Sequence, residues 1–80
     1  MQLFPNPATN ELTVAIPKEL TDHNGKLSVI NTAGQIVKVV FNENNSTQIV
    51  IPVRDLKSGV YNIQLNNSKY EKYNTKFIKL

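Results

Sequence analysis

The chain has 80 residues, of which 40% are hydrophobic and 19% are charged, so it lies in the range of globular proteins and is long enough for one small core. It contains no cysteine, which excludes disulfides and thiolate metal sites. No apolar run reaches the roughly 18 residues that a membrane span needs, and the N-terminus lacks a basic and apolar signal peptide. We therefore expect a single soluble domain over residues 1–80, with no membrane insertion.

The net charge of +3 is concentrated at the C-terminal end. Five basic and five acidic side chains cancel within residues 1–68, whereas residues 69–80 contain four lysines and one glutamate. Two interpretations of this basic end are open: the lysines solubilise an edge strand, or they form a docking surface for an acidic partner.

Residues 1–10 are predicted to be a rigid lead-in to the first strand, because two prolines fix φ and bias the residues before them toward extended geometry. The alternation of apolar and polar residues over 12–16 predicts a half-buried first strand, which Pro17 ends. Residues 18–26 have loop chemistry, with an Asn-Gly pair that suits a turn.

A β-hairpin is predicted over residues 27–41, with Gly34 in a left-handed conformation at its turn. Residues 42–47 form a polar loop that is too short for a helix. The next strand covers residues 49–53, and because proline cannot donate a hydrogen bond, Pro52 places this strand at a sheet edge or ends it there.

The order Leu56-x-x-Gly59-x-Tyr61, between two apolar segments, is typical of the tyrosine corner of sandwich folds. Gly59 can adopt positive φ at little cost, and Tyr61 can bury its ring while its hydroxyl bonds to the backbone. We expect Leu56 to be buried and the chain to cross here from one sheet to the facing sheet.

Residues 60–65 show the most regular alternation of the chain, which predicts a central strand with one solvated face. The best final strand covers residues 75–80. No 3.6-residue periodicity is present, and turn signals recur at roughly 8 to 12 residue spacing. These features predict an all-β fold, a small antiparallel immunoglobulin-like β-sandwich of six or seven strands.

The sequence contains no recognisable catalytic or transition-metal set. His23 is the only histidine, and neither a second histidine nor a cysteine could complete a site, although a calcium site of carboxylates and carbonyls stays open. The serines lack nucleophile-elbow glycines, and the carboxylates are scattered singly. With Arg54 as the only arginine, nucleic-acid binding is not expected either. We predict a non-enzymatic chain without cofactors.

Four separated motifs together resemble the C-terminal sorting domain of the type IX (Por) secretion system of Bacteroidota. They are Leu3-Phe4-Pro5-Asn6-Pro7-Ala8-Thr9-Asn10 followed by Leu12 and Val14, Val29-Ile30-Asn31-Thr32-Ala33-Gly34-Gln35-Ile36-Val37, Leu56-Lys57-Ser58-Gly59-Val60-Tyr61, and Thr75-Lys76-Phe77-Ile78-Lys79. Each motif alone is weak, but the four occur in the right order with the right gaps. Leu80 and Asn62 depart from the residues that many members have there.

The resemblance implies a function that composition alone does not show. Such domains end larger secreted enzymes and adhesins, and an outer-membrane type IX translocon reads them as folded sorting signals. A sortase-like surface protease usually removes them, here by a cut before residue 1 or within the lead-in. The implied location is the periplasm, in transit to the cell surface or the extracellular space.

The resemblance also implies two groups of residues. Those expected to maintain the fold are Pro5, Asn6, Pro7, Gly34, Leu56, Gly59 and Tyr61. Those expected to be recognised lie on the last strand and are Thr75, Lys76, Phe77, Ile78, Lys79 and Leu80. Among these, Lys76 and Lys79 are expected to be exposed, and recognition is expected to combine electrostatics with strand addition.

Three other roles are consistent with the sequence. A carbohydrate- or surface-binding accessory module would use exposed aromatics, for which Tyr70 and Tyr73 are the candidates. A spacer domain would need no contact residues. A homodimer could form through an exposed edge strand.

Overall fold

The computed structural model describes residues 1–18, 25–66 and 73–80. In these ranges seven β-strands form two antiparallel sheets, without an α-helix. The strands are β1 Gln2–Phe4, β2 Glu11–Ala15, β3 Lys26–Ile30, β4 Ile36–Phe41, β5 Gln48–Pro52, β6 Gly59–Asn66 and β7 Tyr73–Lys79. The predicted small antiparallel β-sandwich is confirmed.

The two sheets enclose one apolar core. The first has the strand order β1-β2-β5, and the second has the order β4-β3-β6-β7. Successive residues of a strand point to opposite faces, so the apolar positions of each alternating segment point to the facing sheet. The buried apolar residues are Ala8, Leu12, Val14, Ile16, Leu27, Val29, Ile51, Val53, Tyr61, Ile63, Leu65 and Phe77.

The lead-in begins with a strand, so the strand predicted over residues 12–16 does form, as β2, but the prediction that it is the first strand is wrong. β1 pairs with β2 in antiparallel register, with Leu3 opposite Val14, and Leu3 packs against the core. The prolines at 5 and 7 follow β1, so they leave its pairing intact. A strand of three residues is too short to show a period of two, which is why the sequence pattern does not reveal it.

The hairpin of β3 and β4 forms as predicted, with a turn built by Asn31 and Gly34. Gly34 has φ of +81°, a left-handed conformation that glycine adopts without the penalty of a Cβ. The Asn31 side-chain oxygen accepts hydrogen bonds from the amides of Ala33 at 3.0 Å and Gln35 at 2.9 Å. The pairing register of these strands shifts between Val29 and Ile30.

β5 and β6 occupy the positions that the sequence predicts. β5 is an edge strand of the three-stranded sheet and ends at Pro52. β6 lies between β3 and β7, and its buried residues alternate with residues of its solvated face. The chain therefore crosses from one sheet to the other between these strands.

Candidate functional site

The corner between β5 and β6 has the expected tyrosine geometry. The Tyr61 hydroxyl donates a 2.6 Å hydrogen bond to the carbonyl of Lys57, and its ring stacks on Phe77 with centroids 5.5 Å apart. Gly59 has φ of +155°, which disfavours residues with a Cβ. Leu56 is half-buried rather than buried, and it packs against the core from the turn between the two strands. The corner thus fixes the start of β6 and, through Phe77, its partner β7.

The lead-in closes over the end of the last strand. The amide of Ala8 donates to the carbonyl of Ile78 at 2.8 Å, and the amide of Leu80 donates to the carbonyl of Ala8 at 2.9 Å. The Asn6 side-chain oxygen accepts a 3.0 Å hydrogen bond from the amide of Ile78. Pro5 and Pro7, both preceded by cis peptide bonds, flank Asn6. The proline motif and the last strand, far apart in sequence, therefore form one structural unit.

The six residues proposed for recognition divide between the two faces of β7. Phe77 and Lys79 lie on the face toward the core, whereas Lys76 and Ile78 lie on the opposite face and are exposed. Thr75 is half-buried, and Leu80 is exposed just beyond the strand. Phe77 is fully buried, so it belongs to the core and offers no contact surface.

The expectation that Lys79 is exposed is wrong. Its relative exposure is 8%, because it lies two residues after Phe77 and therefore on the same inward face of β7. Its ammonium group donates a 2.8 Å hydrogen bond to the main-chain oxygen of Leu80. The aliphatic stem of a lysine can be buried when its charged head finds such a partner, so Lys79 has a structural role. Lys76 remains the exposed lysine of the described part of β7.

Only part of the outer edge of β7 can accept another strand. In an antiparallel pair, alternate residues direct their N–H and C=O groups away from the partner. In β7 these include Asn74, Lys76 and Ile78, and the groups of Ile78 are taken by Asn6 and Ala8. Strand addition is therefore limited to the edge around Asn74 and Lys76.

The other edge of the same sheet also contains an inward-facing lysine. Lys38 on β4 lies opposite Val29 and donates hydrogen bonds to the Pro52 carbonyl at 2.6 Å and to Asp55 at 2.8 Å. The hydrogen bond from Lys38 lowers the pKa of Asp55, with smaller contributions from its own backbone amide and from the charges of Lys38 and Lys79. Inward-pointing charges on edge strands oppose edge-to-edge pairing. This geometry weighs against the edge-strand homodimer.

The outer face of the four-stranded sheet, hereafter the outer face, combines apolar residues with two lysines. Cross-strand pairing identifies its members, because residues opposite each other share a face. Its apolar residues are Ile30, Ile36, Val39, Phe41, Val60 and Ile78, and its polar residues are Lys26, Ser28, Asn62, Gln64, Asn66, Asn74 and Lys76. No carboxylate side chain occurs among these strand residues.

A shallow depression of about 170 Å³ lies on this face next to β7. Ile30, Val60 and Tyr61 supply apolar lining, while Asn62 and Lys76 supply polar groups. Within the described ranges, the Lys76 ammonium group makes no hydrogen bond or ion pair. The depression therefore offers an apolar surface next to an uncompensated positive charge.

Several predicted features fall outside the described residues or have no counterpart within them. His23, Lys69, Tyr70 and Lys72 lie outside the ranges that the structure describes. Tyr73, the second candidate for carbohydrate binding, is exposed on β7. The described ranges contain no group of three or more histidine, cysteine, aspartate or glutamate side chains placed to hold a metal. They also contain no helix long and apolar enough to cross a membrane.

Sequence reasoning missed the contacts that tie distant segments together. The lead-in contacts with β7 depend on tertiary placement and have no local signal. The turns that begin at Asn31 and Asn42 did have a local signal, since asparagine side chains often accept hydrogen bonds from amides a few residues further on. Asn42, which is buried, exchanges two hydrogen bonds with the backbone of Ser46, much as Asn31 organises its own turn.

Comparison with known families gives a match that covers nearly the whole chain. The family model described as a secretion system C-terminal sorting domain matches residues 2–80. No curated protein matches the chain significantly. The matched region contains the lead-in, the corner and all seven strands, so the four motifs belong to one continuous match.

Proposed function

This chain belongs to the family of secretion system C-terminal sorting domains, and we propose from this premise that it directs a larger cargo protein across the outer membrane as a folded signal. The family supports a sorting role in type IX secretion, with transit to the cell surface or the extracellular space and contact with the secretion machinery. A sorting-signal domain is not catalytic by family. The match over residues 2–80 is the observation that supports the proposal most directly.

We further propose that the translocon reads a surface of the folded domain. The motif residues Pro5, Asn6, Pro7, Gly34, Leu56, Gly59 and Tyr61 occupy the lead-in, the hairpin turn and the corner. Asn6 contacts β7 and Tyr61 joins the corner to Phe77, while Gly34 shapes the hairpin turn, which supports a role for these motifs in building the folded signal. On the last strand, Lys76 and Ile78 remain accessible and are the residues proposed to touch the machinery.

Removal of the domain by a sortase-like protease at the surface belongs to the same proposal. We place the cut before residue 1, because the lead-in supplies β1 and the bonds to Ile78 and Leu80. A cut in that position would release the sandwich with its closing contacts intact.

The experiment is a reporter fused upstream of residues 1–80 and given an N-terminal signal for export to the periplasm, in a bacterium with a type IX system. We expect the reporter at the cell surface or in the medium, and a reporter without the chain in the periplasm. Equal surface levels for the two proteins would overturn the sorting role.

Deletion of the last strand cannot serve as the recognition test. Removing residues 75–80 also removes the fully buried Phe77 and the buried Lys79, so the sandwich would lose part of its core. Tyr61→Ala, which disrupts the corner from another strand, should reduce export to a similar extent if folding itself is required. Substitutions of exposed residues are needed to separate recognition from folding.

A further inference from the structure

The solvent-facing sides of the two sheets differ in the charge of their strand residues. The outer face has two lysines and no carboxylate among its strand residues. On the three-stranded sheet, the strand residues that point outward include Glu11 and no lysine or arginine.

The apolar part of the outer face surrounds Lys76. Asn62 lies opposite both Ile30 and Lys76 in adjacent strand pairs, and Val60 lies opposite Ile78 two residues further along the strands. Val60 is 44% exposed and Ile78 is 46% exposed, so large side chains flank this lysine at the surface. The depression is located at this cluster.

We propose that the outer face docks an acidic protein surface, in which a carboxylate pairs with Lys76 and a neighbouring apolar side chain enters the depression. This inference rests on the proposed function, since the partner would be a component of the secretion machinery. Charge complementarity selects the partner, because Lys76 is uncompensated within the described ranges and the face has no carboxylate to repel an acidic surface.

A face suits this docking better than an edge does. The lead-in occupies the β7 edge at Ile78. The inward-facing Lys38 on β4 and Lys79 on β7 oppose pairing of the two edge strands with another strand. Side-chain contacts on the outer face need none of these groups to move. We therefore assign recognition to the face and not to strand addition.

A protein partner also fits better than an anionic membrane. Electrostatic membrane binding uses clusters of about four to eight basic residues. The strand residues of the outer face include two lysines, Lys26 and Lys76, and they lie on different strands. Apolar and polar side chains lie between the two lysines. Such a mixed surface is suited to specific contacts with a folded protein rather than to electrostatic attraction by a membrane.

The test compares the export of fusion proteins with single substitutions. Lys76→Glu should lower the surface level of the reporter by about tenfold or more, since like charges at a docking interface are strongly unfavourable. Lys76→Arg should retain export. Lys57→Glu is the matched control, because Lys57 is an exposed lysine that is not among the strand residues of the outer face, and this variant should export normally.

A second pair of variants tests the apolar part. Val60→Thr should lower export, and Val50→Thr should not, because Val50 is 51% exposed on the outward side of the other sheet. Threonine keeps the β-branched shape, so both variants should fold, and equal melting temperatures of the purified chains would verify this.

The outcomes separate the two proposals. If the parent fusion is exported and Lys76→Glu and Val60→Thr are exported equally well, the docking inference is wrong and the sorting role stands. If the parent fusion is not exported, both are overturned. Sedimentation of the purified chain with vesicles of equal parts phosphatidylglycerol and phosphatidylcholine, lost in Lys76→Glu, would assign the face to a lipid surface and also overturn the inference.

Discussion

Tyr61 joins the corner to the core through two separate interactions, and substitutions can separate them. Tyr61→Phe removes the 2.6 Å bond to the Lys57 carbonyl and should lower the free energy of unfolding by about 1 kcal/mol. Tyr61→Ala also removes the ring that stacks on Phe77 and should cost about 3 kcal/mol or more. Urea denaturation would measure both, with Tyr73→Phe on the exposed Tyr73 as the control. Equal effects of Tyr61→Phe and Tyr73→Phe on the free energy of unfolding would contradict a stabilising role for the Tyr61 hydrogen bond.

Gly59 is required for its backbone conformation and not for lack of space. A Cβ built on Gly59 would meet no atom within 4 Å, so any cost of a side chain comes from φ of +155°. Gly59→Ala should therefore destabilise the fold by about 1 to 3 kcal/mol. At Gly34, with φ of +81° and equally open space, Gly34→Asn should cost less than Gly34→Ala, because asparagine tolerates left-handed geometry. Thermal denaturation of the three variants would test this, and a neutral Gly59→Ala would refute it.

Asp55 should make stability depend on pH in the acid range. Its folded pKa lies below its ordinary value of about 4, so the folded state favours the ionised form. The resulting stabilisation is complete above the unfolded pKa and disappears as pH falls through the folded pKa. Because the Asp55 side chain is largely exposed, the effect should be small and should weaken with salt. Melting temperatures between pH 2 and pH 6, on the parent and on Asp55→Asn, would reveal it as a smaller acid-induced decrease in the variant.

At the scale of elements, the lead-in and β7 depend on one side-chain contact that can be removed cleanly. Asn6→Ala deletes the acceptor of the Ile78 amide and should cost about 1 kcal/mol. Hydrogen exchange at the Ile78 amide should accelerate, because this amide points away from β6. Asn10→Ala is the matched control, since the interaction of Asn10 with the Val53 amide uses its backbone carbonyl. Unchanged exchange at Ile78 would show that the Asn6 contact does not protect it.

The elements with strong local signals could be predicted from sequence, and those defined by distant contacts could not. The hairpin with Gly34, the strand ending at Pro52 and the central strand β6 each follow from alternation or from a residue with restricted backbone geometry. β1 has too few residues to show alternation. The inward position of Lys79 could not be predicted either, because lysine is usually exposed and the partner of its ammonium group is the main-chain oxygen of Leu80.

At the scale of the molecule, the candidate site is formed by residues of different strands, which only the pairing of those strands brings together. The last strand could be singled out by its charge and its family motif. Lys76 acquires its apolar surroundings only when β3, β6 and β7 lie side by side, since Ile30 and Val60 belong to other strands. Whether Lys76 or Lys79 faces the solvent likewise depends on which face of β7 packs against the core. Sequence reasoning therefore singled out the strand that we propose is recognised, but it did not predict which face of that strand is exposed.

The whole sandwich is closed by contact between its two chain ends, which predicts where a protease can cut without unfolding it. Removing residues 1–8 would delete β1, the buried Ala8 and three hydrogen bonds to Ile78 and Leu80. At about 1 kcal/mol for each bond, and with about 4 to 8 °C for each kcal/mol in a domain of this size, the melting temperature should fall by more than about 10 °C. A chain that lacks only Met1 retains these contacts and is the control. If the shortened chain melts within a few degrees of the control, the lead-in is dispensable and a cut inside it becomes compatible with a folded product.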